Sequence, residues 1–305
     1  MTMDPLCNLS RKLPLLVGSL LDRENVLGKG RFREETFTDI LSGAFAGFAG
    51  PSLVIEYPPE AQTGGDIDLD FFHASSGRTL ALRIQAKRLN GAVNSKGGLV
   101  KADVRSYEHL LHEVAHPITR VKEYQYRTLA RITGRLPLYM FYNHASVVAD
   151  PYYVASVPAV RGINLAFAYD ISIDMDAKLA KAPGAHYNKR LSKLRRHFFE
   201  LDALFCPCGD SDGGAGEDVP SPDLVSERLR ECWMRGRAGD GARANDERVM
   251  RLLTRPDSLD ARSVAFQRLP DGPSIRVNDG IECPRITLIS GRTEDDRTPD
   301  ITDAG

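Results

Sequence analysis

The chain has 305 residues, of which 42% are apolar and 27% charged, a composition typical of a globular protein with one or two domains. Its net charge of −1 argues against a uniformly basic or acidic protein, and no apolar run approaches the ~18 residues of a membrane helix. The N-terminus lacks a signal-peptide cleavage pattern, and five cysteines, an odd number in a long chain, predict no disulfide framework. We therefore expect a cytoplasmic protein.

The first predicted elements are one helix and three strands. Residues 33–49 begin with acidic side chains and then repeat apolar residues at helical spacing. Alternating or apolar runs bounded by turn residues predict the strands, at residues 52–57, 63–72 and 80–89.

The middle of the chain continues with helices and strands. Two helices are predicted at residues 104–115 and 118–135, followed by strands at 136–143 and 164–173 and an amphipathic basic helix at 189–204. This order predicts a mixed α/β domain over residues 31–205, after an N-terminal segment of residues 1–30. The fold class expected is α/β, a mixed sheet flanked by helices.

The last third of the chain has a different character. Residues 206–305 are predicted to be an irregular, partly disordered extension, with a Gly/Asp/Ser linker at 208–223 and a disordered tail at 291–305. A short helix is predicted at 224–238 and a few β segments within 260–290.

Charge is distributed unevenly along the chain. Between Arg78 and Arg135 twelve Lys and Arg face four Asp and Glu, whereas residues 209–305 hold twenty acidic and fourteen basic residues. A basic middle region suits a polyanionic partner, although a solvated helix face has the same composition.

Two predicted strands carry charge where a buried strand would be apolar. Side chains alternate along a strand, so three aspartates share one face of residues 63–72, and Arg83, Gln85 and Lys87 share one face of residues 80–89. The aspartates are Asp66, Asp68 and Asp70. If the strands pair, these carboxylates lie near Gln85 and Lys87, and a buried carboxylate cluster favours a cation such as Mg²⁺ or Mn²⁺.

The same residues resemble a known group of enzymes. Asp68, Asp66 two residues before it, and Ile84-Gln85-Ala86-Lys87 resemble the PD-(D/E)xK nuclease superfamily, in the Gln-x-Lys variant of Mrr-like restriction enzymes. Together with the segments EETFTD and PLYMFYN, they also resemble an uncharacterised bacterial family with this core. The resemblance covers roughly residues 30–145 at the level of motifs.

The resemblance implies a restriction-endonuclease-like fold and a role for each motif residue. The implied metal ligands for Mg²⁺ or Mn²⁺ are Asp68, Asp66, Gln85 and Glu35, which has Glu34 as its neighbour. Lys87 would activate water or stabilise the pentacoordinate phosphate, and Arg83 and Arg88 would hold the substrate phosphate.

The implied activity is phosphodiester hydrolysis, with DNA as the expected substrate and RNA still open, in defence against foreign DNA. A protein partner for residues 206–305 and a homodimer are further expectations. Gln85 replaces the commoner carboxylate with a neutral amide, so a non-catalytic nucleic-acid-binding module on the same fold is a second hypothesis.

A third hypothesis comes from a different motif. His112-Glu113-Val114-Ala115-His116 matches H-E-x-x-H, in which two histidines one helical turn apart bind zinc and the glutamate acts as base. Pro117 follows at once and tends to end a helix. The motif predicts a zinc metallopeptidase, with a third ligand for which the sequence shows no motif.

Overall fold

The computed structural model describes ten segments of the chain. They are residues 5–23, 32–48, 52–58, 66–91, 100–115, 122–181, 189–206, 219–235, 246–254 and 274–291. The predicted linker at 208–223 and the predicted tail at 291–305 lie largely outside these segments.

An eight-stranded mixed sheet organises the molecule, in the order β8-β7-β6-β3-β2-β10-β1-β9. Its strands, with the separate hairpin β4-β5, are β1 (Leu53–Tyr57), β2 (Asp66–His73), β3 (Thr79–Arg88), β4 (Glu113–Ala115), β5 (Lys122–Tyr124), β6 (Leu136–Tyr142), β7 (Ile163–Phe167), β8 (Phe199–Glu200), β9 (Ser274–Val277) and β10 (Arg285–Ser290). The β2-β3 pair is antiparallel and the β3-β6 pair is parallel.

Ten α-helices accompany the sheet in the described segments. They are α1 (Pro5–Arg23), α2 (Glu34–Phe48), α3 (Gln125–Arg131), α4 (Ala145–Val148), α5 (Pro151–Val154), α6 (Ala168–Lys181), α7 (Leu191–Leu194), α8 (Asp202–Phe205), α9 (Pro222–Arg235) and α10 (Asp246–Thr254). The predicted α/β class, a mixed sheet flanked by helices, is confirmed.

One face of the sheet forms the main hydrophobic core. Even-numbered positions of β3 and odd-numbered positions of β2 point to this face, where Ile67 and Ile84 are buried. Helices α1, α2 and α9 cover it with apolar side chains such as Phe37 and Trp233. Burial of this apolar face is the dominant favourable term in the stability of such a layer.

The opposite face divides into an apolar part and a polar part. Over β6 and β7, Phe141 and Ala166 belong to a second core with Ile171 of α6 and Leu129 of α3. Over β2, β3 and β10, charged side chains occupy the equivalent positions, as the alternation in the sequence predicts.

The C-terminal third contributes to the centre of the sheet. Strand β10 lies between β2 and β1, parallel to β2 and antiparallel to β1. The boundary predicted at residue 206 therefore does not divide the sheet, because residues 285–290 pair with strands from the first third of the chain. Helix α1, in the predicted N-terminal segment 1–30, also packs into the main core.

Two predicted helices before β6 are corrected by the structure. Residues 104–115 form short 3₁₀ turns and strand β4, and in the described part of the second prediction, residues 122–135, only Gln125–Arg131 is α-helical. Tyr107 and Leu110 are fully buried where the chain crosses the second core, so tertiary packing overrides the local helical pattern.

The predicted basic helix at residues 189–204 is also wrong. This stretch is divided into α7, a 3₁₀ turn at Arg195–His197, strand β8 and the start of α8. Residues 199 and 200 extend the edge of the sheet by pairing with Asn164 and Leu165 of β7. A predicted strand at 164–173 is only half correct, because helix α6 begins at Ala168.

A disulfide bond joins Cys7 of α1 to Cys206, which follows α8. The cysteine pattern predicted no disulfide framework, and this prediction is wrong for one pair. Because 199 residues separate the two cysteines, no local spacing in the sequence could have indicated the pairing. Cys232 and Cys283 carry free thiols. Within the described segments, no helix has both the length and the apolar character needed to cross a membrane.

Candidate active site

The site lies where strands β2 and β3 meet the N-terminus of helix α2. Asp66 and Gln85 are direct cross-strand partners, and the Nε2 group of Gln85 donates a hydrogen bond of 3.1 Å to Oδ1 of Asp66. Lys87 lies two residues further along β3 on the same face. The structure therefore brings Gln85 and Lys87 together with Asp66, and not with Asp68, the aspartate that the resemblance placed first.

Lys87 is almost completely buried, with 2% of its surface exposed. Its Nζ atom lies 3.6 Å from Oε2 of Glu34 and donates to Oε1 of Gln125, 3.4 Å away at the start of α3. A buried ammonium group requires such partners, because removing an unpaired charge from water is costly. The neighbours of Lys87 are thus one carboxylate and one amide.

The helix acid at this site is Glu34 and not Glu35. Besides its contact with Lys87, Glu34 accepts a hydrogen bond of 3.1 Å from the backbone N–H of Arg88. Glu35 is exposed, because the next residue in a helix points about 100° away from its neighbour. Arg88, an implied phosphate-binding residue, follows Lys87 on β3 and so directs its side chain to the opposite face.

The carboxyl group of Asp66 has a raised pKa. Burial is the main cause, and the negative charge of Glu34 adds to the rise. The hydrogen bond from Gln85 and the positive charges of Lys87 and Arg83 oppose it. An acid held in this way gains from a nearby cation, because a cation stabilises its charged form.

Asp68 is surrounded by arginine side chains. Arg83 donates from Nε to Oδ1 and from Nη2 to Oδ2, the second bond at 3.2 Å. Nε of Arg135 lies 3.4 Å from Oδ2 of Asp68, and Nη2 of Arg285 lies 3.9 Å from the same oxygen. The structure therefore places Asp68 with Arg83, its direct partner on β3, and not with Lys87.

The ion network continues away from Lys87. Arg135 pairs with Asp70, and Arg285 bridges Asp70 and Glu56 of β1, at 3.7 Å from each. The three aspartates of β2 thus have different surroundings: Asp66 faces the lysine and amide, while Asp68 and Asp70 face guanidinium groups.

Comparison with protein families gives one match. A family of unknown function, DUF6615, matches residues 6–295. The chain belongs to this family. No curated protein and no solved structure matches the chain. The DUF6615 match spans both the site and strand β10, which agrees with a single sheet built from both ends of the chain.

Two side chains of this site were not predicted from the sequence. Gln125 contacts Lys87 from α3, and Tyr139 of β6 is the direct partner of Gln85 on the side away from β2. Tyr139 lies within an apolar run that predicts a buried strand, so no local signal separated it from the core. Gln125 lies near Lys87 only because the segment that connects β3 to β6 brings the start of α3 to the site.

The site contains oxygen donors of the type that a small hard cation prefers. Among the described residues, no group of three or more His, Cys, Asp or Glu side chains is arranged to hold a metal ion. The site offers two carboxylates, Asp66 and Glu34, and Oε1 of Gln85, a buried oxygen without a hydrogen-bond partner in the described structure. One or two carboxylates with retained waters are a usual Mg²⁺ site.

The H-E-x-x-H motif does not form a helical zinc site. Glu113 begins strand β4 and His112 precedes it in extended conformation, and both residues are exposed. A zinc motif of this kind needs both histidines on one helix. His116 lies outside the described residues.

Proposed function

We propose that this DUF6615 protein is a metal-dependent nuclease that hydrolyses phosphodiester bonds. The observation that supports it is the convergence of Asp66, Gln85 and Lys87 on paired strands with Glu34 at a helix N-terminus. Carboxylates, an amide oxygen and an ammonium group at one place are the donors that phosphoryl chemistry uses.

Each residue of the site has a role in this proposal. Asp66 and Glu34 would hold Mg²⁺ or Mn²⁺, and Gln85 would complete the ligands with its oxygen once the amide is rotated by a half turn. A bound divalent cation would polarise the phosphoryl group and lower the pKa of water. Lys87 would donate hydrogen bonds to the phosphate oxygen on which negative charge develops.

Asp68 has a different role from the one that the resemblance implied. Its carboxylate is occupied by Arg83, with Arg135 and Arg285 close by, so it would fix the arginines at the border of the site. The exposed edges of these guanidinium groups would contact the substrate backbone. We expect DNA as the substrate, in cytoplasmic defence against foreign DNA.

The test is cleavage of DNA and RNA substrates with Mg²⁺ or Mn²⁺. We expect divalent-dependent cleavage by the wild type and a loss of at least about a hundredfold in Lys87→Met and Asp66→Asn, since each removes a charged group from the site. Lys122→Met, at the exposed first residue of β5, is the matched control and should cleave normally.

The result that opposes this proposal is binding without cleavage. Gln85 carries no charge and Lys87 is already paired with Glu34 in the structure, and both facts favour the non-catalytic nucleic-acid-binding module. Salt-sensitive DNA binding that persists in Lys87→Met, with no product under either metal ion, would support that second function.

A further inference from the structure

Two buried polar atoms beside the site have no hydrogen-bond partner within the described structure. One is Oε1 of Gln85 and the other is the hydroxyl group of Tyr139. Gln85 is 2% exposed and Tyr139 is fully buried. An unpaired buried polar atom costs free energy, so two of them on one row of the sheet call for a common explanation.

The strand register places Tyr139 and Gln85 side by side. Tyr139 and Gln85 are direct partners on neighbouring parallel strands, so their side chains leave the sheet on the same face. The Nε2 group of Gln85 is directed to Asp66 on β2. The oxygen of the same amide therefore faces away from Asp66, and the strand on the other side of β3 is β6, which carries Tyr139.

The hydroxyl group of Tyr139 is close enough to the site to sense its charges. Burial raises the pKa of Tyr139 well above its ordinary value, and the negative charges of Asp66 and Glu34 raise it further. The ring stacks on Phe141 at a centroid distance of 5.6 Å, which limits its movement. The ring of Tyr139 is thus held next to Gln85, near the charged groups of the site.

We propose that Tyr139 is a positioning residue of this site, whose hydroxyl group holds the Gln85 amide through one internal water molecule. This inference rests on the proposed metal-dependent function for its consequence, but the contact itself does not depend on a metal. A water molecule that bridges two polar atoms at a buried position is a common way to satisfy both.

The hydroxyl group suits both orientations of the amide. A phenol can donate toward Oε1 or accept from Nε2, so it can partner either atom when the amide rotates by a half turn. Rotation turns Oε1 toward Asp66, where it can bind a cation, and turns the N–H groups toward Tyr139. Buried N–H groups without an acceptor are rarer than unpaired carbonyl oxygens. Removing the hydroxyl group therefore weakens the cation-binding orientation most.

The first measurement is thermal unfolding without metal, for Tyr139→Phe, Gln85→Met and the double variant. We expect Tyr139→Phe to lower the unfolding temperature in the wild-type background and not in the Gln85→Met background, since coupled residues are not additive. The same shift in both backgrounds, or no destabilisation in either, overturns the proposal.

Tyr169→Phe is the matched control. Its hydroxyl group is also buried without a partner in the described structure. The Tyr169 ring, however, packs against Trp233 in the main core, on the other face of the sheet. Removing it should leave the unfolding temperature unchanged or higher, because only an unpaired polar atom is lost.

The second measurement is Mn²⁺ binding by titration calorimetry. Loss of a group that orients a metal ligand typically weakens affinity about 10–100-fold, so Tyr139→Phe should weaken Mn²⁺ binding about tenfold while Tyr169→Phe binds normally. Equal affinity in Tyr139→Phe and the wild type overturns the positioning role. Absence of Mn²⁺ binding in the wild type instead removes the proposed function, and the unfolding measurements still decide the contact between Tyr139 and Gln85.

Discussion

At the scale of single residues, the site shows how neighbouring acids of one strand acquire different chemistry. Asp66 and Asp68 share a face of β2, yet Asp66 is paired with an amide and Asp68 with Arg83. The cross-strand partner decides the difference, because residues directly opposite each other are the closest neighbours in a sheet. A residue's type alone did not predict which aspartate would face Lys87.

The buried carboxyl group of Asp66 should reduce the stability of the metal-free protein. Its folded pKa is raised above its ordinary value of 3.8, so the folded state binds more protons and stability falls as the pH rises through the raised pKa. Asp66→Asn should lack this fall and unfold at a higher temperature than wild type at neutral pH. Thermal unfolding of both proteins across a pH series measures this difference in stability.

The control for this prediction is Asp39→Asn, an exposed change on α2 that should follow the wild-type pH profile. Adding Mn²⁺ should stabilise the wild type and not Asp66→Asn, because a ligand that binds only the folded state raises its stability. A wild-type profile in Asp66→Asn would show that burial of this carboxyl group has no measurable cost.

At the scale of elements, α1 approaches the backbone just before β7 very closely. A Cβ atom added at Gly162 would lie 1.8 Å from the carbonyl oxygen of Pro14 and 2.7 Å from its carbon. Only glycine permits this contact between two backbones. The glycine therefore determines how tightly α1 packs on the sheet.

Gly162→Ala should destabilise the protein by about 1–3 kcal/mol, since the helix or the strand must move to admit the methyl group. Gly43→Ala is the matched control: nothing lies within 4 Å of its added Cβ, and alanine in the middle of α2 should stabilise by about 0.5–1 kcal/mol. Denaturant unfolding measures the free energy of unfolding of each variant, which should fall for Gly162→Ala and rise for Gly43→Ala. Equal stability of Gly162→Ala and wild type would contradict the close packing of α1.

At the scale of the whole molecule, segments far apart in the sequence are joined in one structure. Strand β10 completes the sheet between β1 and β2, and the Cys7–Cys206 disulfide ties α1 to the region after β8. Both contacts join residues that are far apart in sequence. The disulfide stabilises largely because it removes entropy from the unfolded chain. The pairing of β10 instead costs loop-closure entropy on folding, which its packing in the sheet must offset.

Breaking the disulfide should lower stability by about 2–5 kcal/mol, because the cross-link closes a loop of 199 residues in the unfolded chain. Cys7→Ser and treatment of the wild type with reductant should lower the unfolding temperature by similar amounts. Cys232→Ser is the control, and its unfolding temperature should still fall on reduction. If reductant does not change the unfolding temperature of the wild type, and mass spectrometry detects Cys7 and Cys206 as free thiols, the bond is not formed.

The sequence by itself determined the local features of this protein. Alternation along β2 and β3 predicted the strands, their apolar face and a polar face shared by the three aspartates, Gln85 and Lys87, because side chains of a strand alternate whatever the rest of the chain does. Helical spacing likewise predicted α2. These patterns depend on residues only a few positions apart.

Only the tertiary structure decided the non-local features. The choice of Glu34 over Glu35, the arginines around Asp68, Tyr139 beside Gln85 and the place of β10 all depend on which strands lie side by side. The helix predictions at 104–115 and 189–204 were wrong for the same reason. Burial against a distant core outweighs a local helix propensity of roughly a few tenths of a kcal/mol per residue. Strand neighbours are selected by the packing of the whole chain, which a local pattern does not contain.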